Sequence, residues 1–232
     1  MSQPQRPSHV SEYAQTCLAA LAASGYGQRL SLGGAFGLAH YFEYRRTRDI
    51  DAWWIEPVNG AERQQIIQTL ENALKLFGEV RTRAWGDVVS VELAPAQKTI
   101  FSFQIARRSA ELRSPTVGLW PGGIGVDSFD DLLASKMTAL VERGAPRDFR
   151  DIYALCHNGY CDLTGCWSVW ETRQKLVNAE TDRQRATAAI CAHLARLAQA
   201  RPLTQIADLA ERTAAEKLRE WFKTEFVRDF PN

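Results

Sequence analysis

The chain has 232 residues, of which 45% are hydrophobic and 24% are charged, as in an ordinary globular protein that buries a sizeable core. Its 28 lysines and arginines nearly balance its 27 aspartates and glutamates, which excludes a strongly basic or acidic protein. No apolar run is long enough for a secretory signal or a membrane span, and five cysteines are an odd number, so we expect a cytoplasmic protein with reduced thiols and no membrane partner.

The first half of the chain has the helix and strand patterns of a mixed α/β domain. Residues 1–10 are predicted to form a loose tail, and residues 11–23 keep helical spacing. A short strand then ends in two glycines, and a helix is predicted over residues 35–46. The remaining predicted elements are a strand, an amphipathic helix and three further strands, at residues 49–55, 61–78, 79–85, 87–93 and 99–106.

The second half of the chain changes to an almost wholly helical pattern after Gly125. Ser128 and Asp131 resemble a capping box, and Pro146 stands where a second helix can begin. Three more helices are predicted from about residue 167, with breaks near residue 179 and at Pro202. The sequence therefore predicts an α+β protein, with an α/β domain over residues 11–125 and a helical domain over residues 126–232.

Two aspartates, Asp49 and Asp51, lie one residue apart in "RRTRDIDAWW". On a strand their side chains point the same way, about 6.6 Å apart along the chain. Such an acidic patch is costly unless a cation fills it, and Mg²⁺ accepts carboxylate and phosphate oxygens together. The alternative is that both aspartates are solvated at the strand end or pair with Arg45, Arg46 or Arg48.

The glycines Gly33 and Gly34 stand between a predicted strand and a predicted helix. Glycine lets backbone N–H groups approach an anion closely, and the helix N-terminus adds positive charge. A phosphate site beside an acidic metal site would bind a nucleoside triphosphate. The alternative is a plain tight turn in which glycine supplies a positive φ.

Two blocks of the sequence resemble the nucleotidyltransferase AbiEii/AbiGii toxin family. The first block, "LSLGGAFGLAHYFEYRRTRDIDAWW", resembles the family's Gly-Gly-Thr-Ala-Leu motif, a following His, and Arg-x-Ser/Thr-x-Asp-x-Asp. Its matching positions are Gly33, Gly34, His40, Arg46, Thr47, Asp49 and Asp51. The second block, "FDDLLASKMTALVERGAPRDFRDIYAL", resembles a Lys on a helix, an Arg, and then Arg-Asp-x-x-Asp. Its matching positions are Lys136, Arg143, Arg147, Asp148 and Asp151.

The second block is also interpretable without the resemblance. Lys136 falls on the apolar stripe of its helix, where a lysine either extends to solvent or finds an anion such as a triphosphate. Asp148 and Asp151 lie in the first turns of the next helix, where acidic groups favour the helix dipole for purely structural reasons.

The resemblance implies a nucleotidyltransferase-type mixed β-sheet domain followed by a helical domain, with the active cleft between them. The implied reaction is Mg²⁺-dependent transfer of a nucleoside monophosphate from a nucleoside triphosphate to an acceptor hydroxyl. Asp49 and Asp51 would bind the metal and act in catalysis, and Asp148 would assist the acceptor hydroxyl. The implied nucleotide-binding residues are Gly33, Gly34, Thr47, Lys136 and Asp151.

The implied biological setting is a toxin–antitoxin or phage-defence system, with transfer RNA as a plausible acceptor and a cognate antitoxin as a possible partner. Two alternatives remain open: a nucleotide-binding protein with weakened catalysis, and an enzyme that modifies a small molecule such as an aminoglycoside. Near-neutral net charge mildly favours a small acceptor, whereas the arginine clusters at residues 45–48 and 107–113 would suit RNA if they share a face with the cleft. The sequence does not identify the nucleotide, the acceptor or the oligomeric state.

The chain departs from the family pattern at two candidate site positions, and its tryptophan pair after Asp51 is bulkier than the family pattern leads us to expect. Ala35 replaces the usual Thr or Ser after the glycines, so a hydroxyl that could touch phosphate is missing. Gln104 stands where many nucleotidyltransferases place a third carboxylate, and Glu92 is a possible substitute. Without that third charge, a second metal ion would be weakly held.

Three cysteines, Cys156, Cys161 and Cys166, recur every five residues, with His157 alongside. A zinc site is conceivable, but structural zinc sites usually pair cysteines two to four residues apart, and a second pair is missing. The alternative is that these are small half-buried side chains at the end of a helix and in a loop.

Three aromatic side chains near the acidic pair are expected to be mainly structural. His40 should be packed and hydrogen-bonded rather than catalytic. Trp53 and Trp54 should point to opposite faces of their strand, and core packing is the expected use of both, although one could stack on a base.

Overall fold

The computed structural model describes residues 3–227 and divides into two compact units, Met1–Leu132 and Leu133–Asn232. The first unit contains the β-sheet and the second consists of helices. The sequence-based domains, 11–125 and 126–232, stay a prediction, and residues 228–232 of the second lie outside the described residues.

The first unit consists of six strands, three complete helices and the start of a fourth, within its described residues. In chain order these are α1 (Glu12–Ala23), β1 (Leu30–Gly33), α2 (Gly34–Ala39), β2 (Ile50–Trp54), α3 (Gly60–Lys75), β3 (Val80–Trp85), β4 (Val88–Leu93), β5 (Phe101–Arg107), β6 (Gly125–Val126) and α4 (Phe129–Glu142), which continues into the second unit. The strand order in the sheet is β3-β4-β5-β2-β1-β6. Strands β2 and β5 are parallel, as are β1 and β6, whereas the other neighbours are antiparallel. This mixed sheet, followed by a helical region, confirms the predicted fold class.

The two faces of the sheet differ in chemistry because strand side chains alternate. One face is apolar and belongs to the hydrophobic core that also includes α1 and α3. Its strand residues are Leu30, Leu32, Ile50, Ala52, Trp54, Val91, Leu93, Phe101, Phe103 and Ile105. The opposite face is polar and contains the aspartate pair. Its register-matched residues are Ser31, Gly33, Asp51, Trp53, Ser90, Glu92, Ser102 and Gln104.

The helix predicted over residues 35–46 is too long, because α2 ends at Ala39. The backbone carbonyl of His40 accepts a hydrogen bond of 2.7 Å from the N–H of Gln5 instead of continuing the helix. The prediction of a loose tail over residues 1–10 is also wrong for the described residues, because their backbone is hydrogen-bonded to the segment that follows α2. The N–H groups of Ser8 and His9 donate to the carboxylate of Glu43, at 2.9 and 2.8 Å.

The second unit is helical over its described residues. After α4 it contains α5 (Pro146–His157), α6 (Leu163–Leu176), α7 (Arg183–Ala200), α8 (Leu209–Trp221) and a π-helical turn (Phe222–Phe226). Pro146 opens α5, and the breaks predicted near residue 179 and at Pro202 separate α6, α7 and α8, which confirms these predictions. Among the residues described, no helix has both the length and the hydropathy needed to cross a bilayer.

His40 is buried in the first unit and is neutral. Its Nε2 accepts a hydrogen bond of 2.8 Å from Nε1 of Trp120, which can only donate, so Nδ1 carries the hydrogen and donates to the carbonyl of Phe36 at 2.9 Å. Burial lowers the pKa of His40 to about 4, against the hydrogen bonds to the Phe36 and Gly37 backbone. His40 therefore fixes the end of α2 as a packed, hydrogen-bonded side chain.

Because the folded protein resists protonation of His40, its contribution to stability is present above pH 6.5 and is lost as the pH falls through 4. We expect this group alone to remove about 3 kcal/mol of the free energy of unfolding between those limits. Denaturant titrations at several pH values should show a weaker pH dependence for His40→Gln. The control His157→Gln changes an exposed histidine and should keep the wild-type dependence. Equal pH dependence in His40→Gln and wild type would contradict this assignment.

Candidate functional site

Asp49 and Asp51 lie on the polar face of the sheet, at the start of β2. Ser102 of β5 donates a hydrogen bond of 2.8 Å to the Asp49 carboxylate. Two residues further along β5, Gln104 lies opposite Asp51 in the parallel register. Since Ser102 and Gln104 share a face, the two carboxylates share it as well. Asp49 is exposed and Asp51 half-buried, so a ligand can reach them from solvent.

The turn formed by Gly33 and Gly34 lies directly against the side chains of β2. A Cβ atom on Gly34 would stand 1.9 Å from Oδ2 of Asp51, and one on Gly33 would stand 2.2 Å from Nε1 of Trp53. Gly34 also has a φ of +57°, a conformation that only glycine adopts readily. The glycines are therefore required to bring the backbone at the start of α2 beside the Asp51 carboxylate.

The neighbours of Asp49 and Asp51 on β5 are uncharged, and the nearby carboxylate on β4 is in an ion pair. Gln104, opposite Asp51, contributes an amide. Glu92, the suggested substitute, accepts hydrogen bonds from Arg81 at 2.6 Å and Thr99 at 3.0 Å. Burial would raise the pKa of Glu92, but these hydrogen bonds and the nearby arginine charges hold it below its ordinary value. Glu92 is therefore committed to an ion pair with Arg81 of the neighbouring strand.

Asp127, which the sequence did not single out, is a buried carboxylate on the same side of the sheet. Trp53 donates to its Oδ2 from Nε1 at 2.8 Å, and Ser31 donates to its Oδ1. Asp127 thereby fixes the Trp53 indole against the glycine turn, while Trp54 is buried in the core on the other face. The sequence could have indicated Asp127 only by its position after β6, and a strand of two residues is too short to recognise from sequence.

Arg108 pairs with both Asp127 and Glu111, so it is not part of an open basic surface. Burial raises the pKa of Asp127 to about 6 against the opposing charge of Arg108, and the carboxylate is ionised at neutral pH. Arg113 is bound to Asp130 at 2.6 Å. The Arg108 side chain is thus only 11% exposed in its ion pairs, whereas the Arg113 side chain remains 61% exposed, and the suitability of residues 107–113 for RNA stays a prediction.

Thr47 and Ala35 flank the glycine turn and the acidic pair in sequence. The Thr47 hydroxyl donates to the backbone carbonyl of Asp49 at 3.1 Å, which orders the chain just before β2. Ala35 lies half-buried in the first turn of α2 and offers no hydroxyl.

In the second unit, Lys136 of α4 and Asp151 of α5 form a buried ion pair. Their Nζ and Oδ2 atoms are 2.6 Å apart, and the side chains are 10% and 0% exposed. Lys136 therefore does not extend to solvent, and Asp151 is an anion with which it pairs. Such a buried ion pair adds little to the free energy of unfolding compared with apolar side chains of similar size, so stability alone does not account for it.

Asp148 is the third residue of α5 and has both carboxylate oxygens engaged. Arg143 donates two hydrogen bonds to it, at 2.8 and 2.9 Å, and the N–H of Ala145 donates a third at 3.1 Å. The Arg143 side chain is 51% exposed, whereas that of Asp148 is fully buried. Arg143 is thus a half-exposed cation held in place by Asp148.

The sequence matches the profile of a known family over residues 16–224, which extends well past the two recognised blocks. That family is described as the nucleotidyl transferase AbiEii toxin of type IV toxin–antitoxin systems. The chain belongs to the AbiEii family. The resemblance found in the sequence is thereby confirmed, and the protein is a nucleotidyl transferase toxin of a type IV toxin–antitoxin system. AbiEii membership implies a nucleotide substrate and a cognate antitoxin.

Solved structures show the same fold at low sequence identity. The JHP933 protein of Helicobacter pylori has a TM-score of 0.50 and 16% identity, covering 95% of this chain and 96% of its own. A candidate nucleotidyltransferase from H. pylori has a TM-score of 0.51 and 15% identity, covering 96% and 100%. A comparison with curated proteins returned no match.

Replacing Gly34 with alanine should damage the site far more than the fold. Gly86, in the β3–β4 turn, has a similar φ of +53°, but a Cβ added there would meet nothing within 4 Å, so Gly86→Ala is a matched control for backbone strain. We expect both variants to lose about 1 kcal/mol of stability from the positive φ. Only Gly34→Ala should also displace Asp51 and lose roughly 100-fold in nucleotidyl transfer. Equal activity of the two variants would show that the close approach is irrelevant.

Removing Lys136 alone should destabilise the second unit, because Asp151 keeps a buried charge without its ammonium partner. We expect Lys136→Met to cost about 3–5 kcal/mol and the double variant Lys136→Met/Asp151→Leu to recover most of that loss. Thermal and denaturant unfolding measure both. If the double variant is no more stable than Lys136→Met, the two side chains do not form the ion pair described above.

Proposed function

We propose that this AbiEii protein transfers a nucleoside monophosphate from a nucleoside triphosphate to an acceptor hydroxyl, with Mg²⁺ as cofactor. The observation that carries the proposal is the contact between the Gly34 backbone and the Asp51 carboxylate, with Asp49 on the same face. It supports the proposal because backbone N–H groups that would donate to phosphate lie beside carboxylate oxygens that would bind a metal.

The donor set at β2 fits a hard divalent cation. Asp49 and Asp51 supply carboxylate oxygens, and the Gln104 amide lies opposite Asp51 as a neutral oxygen donor. When bound there, Mg²⁺ would neutralise phosphate oxygens and favour departure of pyrophosphate. With an amide in place of a third carboxylate, the site would hold one ion more firmly than two, and slow turnover would follow.

The remaining residues bind and orient the nucleotide. The N–H groups that follow Gly33 have no side-chain cap, and they would donate to phosphate oxygens. Thr47 would hold the chain before Asp49 in place. Lys136 would contribute positive charge to the phosphates, with Asp151 holding its ammonium group in position.

Asp148 is our proposed partner of the acceptor hydroxyl. Its oxygens accept three hydrogen bonds in the structure, which makes it a poor proton acceptor in that arrangement. Because Arg143 is half-exposed, it can exchange Asp148 for a phosphate oxygen of the substrate. That exchange would free a carboxylate oxygen to accept a hydrogen bond from the hydroxyl.

We propose transfer RNA as the acceptor, and a cytoplasmic reaction because nucleoside triphosphates and transfer RNA occur together there. This proposal is supported by the family's toxin role and by two exposed arginines next to the acidic pair in sequence, Arg46 and Arg48. Since Arg108 is largely buried in its ion pairs, RNA binding would depend on these two residues and on the exposed Arg107 and Arg113.

Incubation with Mg²⁺, each labelled nucleoside triphosphate in turn, and total RNA tests this proposal. We expect label on a small RNA and its loss by at least about 100-fold in Asp51→Asn. Asp87→Asn removes an exposed carboxylate in the β3–β4 turn and should keep wild-type activity. Nucleotide binding without transfer would overturn the enzymatic proposal, and label only on added small molecules would overturn the RNA acceptor.

The double variant Lys136→Met/Asp151→Leu separates a phosphate role of Lys136 from a structural one. If Lys136 contacts phosphate, the variant should fold like the wild type yet show a higher KM for the triphosphate or a lower kcat. Wild-type kinetics in a stable double variant would limit Lys136 to its ion pair with Asp151.

A further inference from the structure

The sulfur atoms of three cysteines in the second unit form a nearly equilateral triangle. The Sγ atom of Cys156 lies 3.6 Å from those of Cys161 and Cys166, which are 3.5 Å from each other. Among the residues that the structure describes, this is the one group of three such ligand side chains close enough to share a metal ion. The nucleotidyl transfer proposed above does not use it.

The end of α5 brings the first two cysteines together. The N–H of Tyr160 donates to the carbonyl of Leu155, and the N–H of Gly159 donates to that of Cys156, the two hydrogen bonds of a Schellman motif. Gly159 has a φ of +73°, which the motif requires at this position. The chain therefore reverses at once, and Cys161 returns to the last turn of α5.

The start of α6 supplies the third cysteine. Asp162 caps this helix by accepting a hydrogen bond of 2.7 Å from the N–H of Gly165, and Cys166 follows in the first turn. Cys156 and Cys161 are half-buried and Cys166 is buried, so the triangle is reachable from one side.

The sulfur distances distinguish among the possible uses of three neighbouring cysteines. A disulfide requires sulfurs about 2.05 Å apart and would leave the third cysteine unexplained. A tetrahedral zinc ion with bonds of about 2.3 Å separates its sulfur ligands by about 3.8 Å, close to the distances observed. An iron–sulfur cluster holds several metal ions and needs its cysteines further apart than a single ion does.

We propose that Cys156, Cys161 and Cys166 bind one Zn²⁺ ion, with the fourth coordination position open to a water molecule. Soft thiolates select such thiophilic ions over Mg²⁺, so this site would be chemically distinct from the acidic pair on β2. His157 is next to Cys156 in sequence, but its ring stacks on Tyr153 with centroids 5.2 Å apart. The histidine is therefore not assigned as the fourth ligand.

Zinc in this position would link α5 to α6 and stabilise the corner between them. Binding converts each coordinated thiol to a thiolate, and the released protons go to solvent, with no change in oxidation state. Zinc affinity should therefore rise with pH. Because the ion binds the folded protein, its removal should lower the melting temperature.

The test is metal analysis of the full-length protein, purified with a reductant and zinc and then freed of loosely bound metal. We expect about one zinc per chain, and at least about 100-fold weaker binding in Cys161→Ser and Cys166→Ser by competition with a chromophoric chelator. Cys191→Ser changes an exposed cysteine of α7 and should retain full zinc content.

Cobalt substitution of the wild-type protein keeps the proposal testable even if the cysteine variants fail to fold. The cobalt protein should show sulfur-to-metal charge-transfer absorption, which the oxygen ligands of β2 cannot produce. A wild-type protein with no retained zinc and no charge-transfer band after cobalt addition would overturn the proposal. So would zinc retention in Cys161→Ser, or a disulfide among these residues in protein kept under reductant.

Discussion

The Gly33–Gly34 turn packs so closely against the side chains of β2 that neither glycine has room for a Cβ atom. A Cβ atom added to Gly34 would overlap the Asp51 carboxylate, and one added to Gly33 would overlap the Trp53 indole, so neither glycine can be replaced without moving a side chain of β2. This close approach depends on the antiparallel pairing of β1 with β2, which puts Gly33 opposite Asp51. The nucleotide proposal depends on it, because the same contact puts backbone N–H groups beside the carboxylate oxygens that we propose as metal ligands.

The two units use carboxylates in different ways. On the sheet, Asp49 is exposed and accepts a hydrogen bond from Ser102, an arrangement suited to exchangeable ligands. In the helical unit, Asp148 and Asp151 are fully buried and paired with Arg143 and Lys136. Such buried pairs position cations at a cost in desolvation, and the proposed function gives these cations a role in binding phosphate. Asp127 is an intermediate case, since it is buried on the sheet and accepts a hydrogen bond that orients Trp53.

The sequence predicted those features that local pattern determines. Alternation along β2 placed Trp53 and Trp54 on opposite faces, and Pro146 marked the start of α5. The sequence-based predictions failed where contacts between distant residues determine the structure. Gln5 donates a hydrogen bond to the His40 carbonyl, which would otherwise have extended α2, and Asp127 reaches the sheet only because β6 pairs with β1. A contact across many residues leaves no periodic signal, and a two-residue strand is too short to show alternation.

The proximity of the three cysteine sulfur atoms was also not predictable from their spacing in the sequence. Known zinc sites pair cysteines at short intervals, and the five-residue spacing did not fit, yet a Schellman turn and a helix start bring the three sulfurs within 3.6 Å of one another. The relevant distance depends on the chain reversal at Gly159, which sequence spacing alone does not reveal. The family assignment, in contrast, followed directly from two motif blocks in the right order.

The central claim is that the acidic pair on β2 binds the metal that accompanies the nucleotide. Anomalous diffraction from crystals containing Mn²⁺ and a non-hydrolysable nucleoside triphosphate tests it most directly. The predicted result is a manganese peak about 2.1 Å from oxygens of Asp49, Asp51 and a phosphate group. A bound nucleotide whose metal lies elsewhere, with both aspartates unligated, would contradict the claim.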